Sequence, residues 1–94
     1  MTAQELTRLL TDYTTQVFGA YAVAQVDVQP GVDSDGDAIL YVDIVLRSEI
    51  SLQATPQRVK YRLDVRDLLE RNGETRFPVF SFIPEGEFDR RASA

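Results

Sequence analysis

The stretch TPQRVKYRLDVRDLLERNG, Thr55–Gly73, admits two structures, and the choice between them decides the fold. Val59, Tyr61, Leu63 and Val65 alternate with polar residues, which is the period of a strand. As a strand over 58–65 it would be followed by a short helix. The same residues also fit one longer helix. Thr55-Pro56 is a cap followed by the residue best suited to a first helical turn, and Asn72-Gly73 is a stop. Wound as a helix, Tyr61, Val65, Leu68 and Leu69 share one side, while Val59 and Leu63 form a second apolar strip. The agreement of both caps with the first strip selects the helix.

Working outward, TAQELTRLLTDYTTQVFGAY (Thr2–Tyr21) carries Thr2 and Glu5 at the spacing of a capping box. Leu6, Leu9, Leu10, Tyr13, Val17 and Phe18 then follow at helical steps up to a stop at Gly19. AVAQVDVQ (Ala22–Gln29) and AILYVDIVLR (Ala38–Arg47) alternate as strands. Regular alternation puts Ala22, Ala24, Val26 and Val28 on one face of the first strand and Val23 on the other. In the second, Leu40, Val42, Ile44 and Leu46 share a face, with Ile39, Tyr41, Asp43 and Val45 opposite. RFPVFSFI (Arg76–Ile83) is a third strand, with Pro78 where an edge tolerates a missing donor. The expected fold class is α+β: an α-β-β-α-β domain over residues 1–84, a three-stranded largely antiparallel sheet with two helices packed on one face. Residues 85–94 read as a flexible tail.

The hairpin connection contains VDSDGDAILYV (Val32–Val42), with Asp33, Asp35 and Asp37 at alternate positions. An EF-hand calcium loop needs glycine at its sixth position and a glutamate at its twelfth. Counting from Asp33 puts Ala38 and Ile44 there, and counting from Gly31 puts Gly36 and Val42 there with no first ligand. Neither frame works, whereas Asp-Gly is a strong tight-turn signal, so the segment reads as a turn and not as a metal site.

Composition removes several chemistries. With no cysteine and no histidine among 94 residues, thiolate catalysis, disulfides, haem histidine ligation and imidazole zinc sites are all unavailable to this chain. The longest apolar run, Ala38–Leu46, is interrupted by Asp43 and falls far short of the ~20 residues of a membrane span. The first residues do not resemble a signal peptide, so the expected location is the cytoplasm. Lys60, the only lysine, lies between arginines rather than in an apolar pocket, and Glu85, Glu87 and Asp89 lie in the expected tail. No catalytic constellation, metal site or cofactor site is assigned.

Two surfaces remain. Residues 1–54 carry eight acids against Arg8 and Arg47, whereas residues 55–94 carry eight bases against seven acids. Within the second half Arg58, Arg62 and Arg66 recur at four-residue steps, a stripe along one side of the helix. The stripe suits a nucleic-acid contact, but the net charge of −5 disfavours generic phosphate binding. Its structural explanation is intrahelical pairing, Lys60 with Asp64 and Arg66 with Glu70. The other surface is the sheet face that the helices leave bare. It is expected to include Val23, Ile39, Tyr41 and Val45, together with Phe80 and Phe82 from a last strand apolar on both sides. An apolar patch of that kind marks association, unless the chain's ending folds over it with Phe88 as a plug.

The motif of Pro56, Arg58, Arg62, Leu68, Leu69 and Gly73 followed by Phe77, Pro78, Val79, Ser81, Phe82 and Ile83 resembles the C-terminal half of small uncharacterised bacterial proteins. Those are often encoded beside HEPN-type helical proteins, a class that includes RNase toxins. The resemblance covers about a third of the chain and implies a non-catalytic partner, antitoxin-like, in a two-gene pair. The sequence thus points to a protein–protein interaction module, as a homodimer or as half of a heteromeric pair. The alternative is a small nucleic-acid-binding domain using the arginine stripe.

Overall fold

The structure is a computed structural model describing residues 2–47 and 56–93, the side chains of 56–58 and 91–93 aside. Helix α1 spans Ala3–Phe18 and begins with the expected capping box. The Glu5 N–H donates to Thr2 Oγ1 at 3.1 Å, and the Thr2 N–H donates to Glu5 Oε2 at 3.4 Å. Leu6, Leu10 and Thr14 are its buried stripe.

The disputed stretch is helical: α2 spans Pro56–Arg71. Its end is a Schellman motif, in which the Glu74 N–H donates to the Leu69 carbonyl at 2.9 Å and the Gly73 N–H to the Glu70 carbonyl at 3.0 Å. Gly73 holds φ +82°, a conformation that costs glycine nothing and a side chain much. Tyr61, Val65 and Leu69 are buried while Val59 and Leu63 are exposed, so the helical strips exist and the strand's alternate face does not.

Strands β1 (Val23–Val32) and β2 (Ala38–Leu46) form the antiparallel hairpin, and β3 (Phe77–Pro84) runs parallel to β2 in the order β1-β2-β3. The sheet is therefore mixed rather than largely antiparallel. The crossover through α2 brings the chain back to the end of the sheet where β2 began, so β3 starts beside Ile39 and runs in the same direction.

The core lies between the sheet and the helix pair. Leu6 and Leu10 of α1 and Tyr61, Val65 and Leu69 of α2 pack on Val26, Val28, Leu40, Val42, Ile44 and Leu46. Each fully buried aliphatic side chain of this kind contributes about 1.5–3 kcal/mol relative to exposure.

Two expectations need correction. Val23 belongs to the core and not to the bare face. Val23 pairs with Leu46 but Gln25 pairs with Val45, so one extra residue in β1 makes a bulge and turns Val23 to the side of Val26 and Val28. The residues after Pro84 are not an irregular tail: Glu85–Ser93 form helix α3, with Glu85 and Glu87 in its first turn, where carboxylates suit the helix dipole. Among the described residues no helix is long and apolar enough to cross a membrane.

Candidate interaction surface

The register of β2 and β3 decides which side chains share each face of the sheet. Their register sets Leu40, Val42, Ile44 and Leu46 beside Pro78, Phe80, Phe82 and Pro84 on the helix-covered face. Ile39, Tyr41, Asp43 and Val45 then share the opposite face with Phe77, Val79, Ser81 and Ile83.

Phe80 and Phe82 therefore do not belong to the bare face. Their rings pack edge-on against Tyr61 at centroid distances of 5.7 and 5.9 Å, and Phe18 closes on Phe82 at 6.0 Å. With β3 apolar on both sides, alternation alone carries no information about which side faces the core.

The opposite face is only partly bare. Val45 and Ile83 are buried there, at the end of the sheet on which α3 packs against β2 and β3. Arg47 anchors this corner: its Nε lies 3.8 Å from Glu85 Oε2, and its Nη1 donates to the Tyr21 carbonyl at 3.1 Å. Helix α3, in which Phe88 is half-buried, packs against β2 and β3 at this end of the sheet. At the other end Ile39 is buried but Tyr41, Phe77 and Val79 are exposed. The Tyr41 ring lies across Gly31 so closely that a side chain at that position would have to displace it.

The arginine stripe behaves differently from its expected pairing. Lys60 Nζ does reach Asp64 Oδ2, at 3.2 Å. Arg66 does not pair with Glu70; its guanidinium carbon sits 4.8 Å from the centroid of Phe77, and that of Arg62 sits 5.7 Å from Phe82. Neither arginine has a carboxylate partner among the described residues. The side chain of Arg58 lies outside the described residues.

These contacts outline a groove absent from the sequence expectations, between the outer side of α2 and the edge of β3. It encloses about 370 Å³ and is lined by Arg62, Leu63, Arg66 and the Phe77–Phe80 segment. Leu63 is 60% exposed, Phe77 52% and Val79 39%, so the lining is apolar with two cations on its rim. The signal for it was the second apolar strip of Val59 and Leu63, which had no assigned packing partner.

An adjoining hollow, which shares Arg66, Phe77 and Pro78 with the groove, contains the Glu74–Arg76 pair, with Nε 2.5 Å from Oε1. Hydrogen bonding from Arg76 holds the buried Glu74 carboxyl below the usual carboxylate range. The hairpin tip is a turn in the structure. Asp33 Oδ1 accepts the N–H groups of Asp35 and Asp37, both at 2.9 Å, and Gly36 takes φ +85°. Among the described residues no group of three or more acidic side chains converges as a metal site would.

Comparison with protein-family models, with curated proteins and with solved structures gives no match in any of the three.

Proposed function

We propose that the chain is a non-catalytic protein–protein interaction module that docks its partner on the α2–β3 flank. The observation that carries this reading is the groove itself, where Leu63, Phe77 and Val79 stay exposed beside two arginines that lack carboxylate partners among the described residues. Exposed apolar side chains gathered at one place, rimmed by charge, are the mark of an association surface. Arginine and aromatic residues are also the types that dominate binding energy in such surfaces.

The likeness of the Pro56–Ile83 region to small proteins encoded beside HEPN-type genes supports a two-gene pair as the setting, with this chain as the non-catalytic, antitoxin-like half. Nucleic acid is the weaker alternative. The net charge is −5, and Asp64, Asp67 and Glu70 stand on the same helix as the arginines.

Sedimentation velocity of the chain alone, and of the chain mixed with the protein encoded beside it, tests the reading. A species heavier than the monomer is expected, lost in Leu63→Glu. A monomer in both samples at high micromolar concentration would contradict it.

A further inference from the structure

Resting on that reading, we propose that the occupant of the groove is an amphipathic helix of another protein, acidic along its flank. It lies alongside α2 and sets its carboxylates on Arg62 and Arg66. Helix α2 is apolar on two sides: Tyr61, Val65 and Leu69 are buried, whereas Val59 and Leu63 are each 60% exposed. A helix apolar on two sides is built to pack on both, and among the described residues only the first side is covered. Val59, Leu63 and Arg66 follow at steps of four and three residues, the seam along which one helix receives the side chains of another. Arg62 flanks that seam.

The groove supplies the rest of the surface, with Leu63 on the helix wall and Phe77 and Val79 on the strand wall. Pro78, within the strand wall, has no N–H, so this wall suits contact through side chains better than a backbone ladder. An apolar helix face laid in such a groove is a recurrent mode of recognition. Arg62 and Arg66 stand one turn apart, about 6 Å along the axis, the same rise that separates carboxylates four residues apart on a second helix. Their guanidiniums lie over the rings of Phe82 and Phe77, so both cations are positioned before a partner arrives. Charge decides against a second copy as occupant. Two α2 flanks paired about a two-fold axis would gather both pairs of arginines at one interface. Against them, Asp64 and Asp67 of the same helix are already held by Lys60 and Arg71.

Titrating the ¹⁵N-labelled chain with a capped helical peptide tests this. The peptide carries leucine at alternating three- and four-residue steps, glutamate beside each leucine and alanine elsewhere. The other arms are its glutamine and lysine versions, a scramble of the same composition, and oligouridylate. Amide shifts are expected at Val59–Arg66 and Phe77–Val79 with the glutamate peptide. Binding should be at least about tenfold weaker with the glutamine peptide, with the scramble or in Arg62→Glu/Arg66→Glu, and absent with the lysine peptide. Amide dispersion of the double variant in the same spectra reports that it remains folded. Silence at both segments at millimolar glutamate peptide, equal binding of the glutamine, lysine or scrambled peptide, or shifts produced by the RNA instead would each overturn the inference. So would a dimer of the chain alone that Leu63→Glu dissolves, which would put a second copy in the groove. If the peptide fails while Leu63→Glu still dissolves the complex with the neighbouring protein, the helix inference falls and the interaction-module reading stands.

Discussion

The hydroxyl of Tyr61 lies 2.7 Å from Oγ1 of Thr14, a buried hydrogen bond that ties α2 to α1 above the sheet. Tyr61 is also the hub of the aromatic cluster, with Tyr13, Phe18, Phe80 and Phe82 all within 6 Å of its ring centroid. Replacing it by phenylalanine keeps the ring contacts and leaves Thr14 without this partner. A loss of about 1–2 kcal/mol is expected for Tyr61→Phe and about 3–5 kcal/mol for Tyr61→Ala, measured by urea unfolding.

The same residue sets an alkaline limit. Burial pushes the Tyr61 hydroxyl up to about 12 from its ordinary 10.0. The folded state holds its proton more tightly than the unfolded state, so this contribution is complete below pH 10 and is lost as pH rises from 10 towards 12. A fall of about 2–3 kcal/mol across that window is expected. Tyr61→Phe should flatten most of it. The remaining slope belongs to Tyr13, also raised by burial and by its hydrogen bond to Asp64.

Arg76 supports a buried carboxylate beside the groove. Arg76→Ala should cost about 1–3 kcal/mol near neutral pH, because Glu74 then loses its charged partner. Glu74 is held below its ordinary range, so the wild-type advantage is present above that range and fades as pH falls through the lowered value. Unfolding midpoints of the two proteins should therefore converge in acid.

The two strips of α2 predict opposite outcomes for neighbouring leucines. Leu69→Ala should cost about 2–5 kcal/mol, since Leu69 is buried in the core cluster. Leu63→Glu should stay within about 0.5 kcal/mol of wild type, since Leu63 is exposed. Thermal unfolding of both variants checks the assignment of faces, and the reverse ranking would refute it.

The legible parts of this fold were those written locally. The capping box of Thr2 and Glu5 and the Asn72-Gly73 stop need only neighbours a few residues away, and both helices formed where those signals stood. The bulge near Ala24 was not legible, because one extra residue reverses a face without altering composition, and Val23 moved to the core with it. The direction of β3 depends on the crossover through α2 and not on the strand's own residues. Helix α3 is short and contains Gly86, so it resembles a loop until packing on β2 and β3 selects it. At the candidate site Arg62 and Arg66 were legible as a stripe, but not that they would lie over Phe82 and Phe77. Nor did the β3 pattern tell Phe80 from Val79, since both are apolar and only the position of α2 separates them.

Co-purification from the native host, followed by amide hydrogen exchange on any complex obtained, tests the proposed docking surface most directly. Protection gained on binding should map to Val59–Arg66 of α2 and Phe77–Ile83 of β3, with the Asp33–Asp37 turn unchanged. A footprint confined to α1, to the hairpin turn or to α3, with the α2–β3 flank exchanging as in the free chain, would contradict the account.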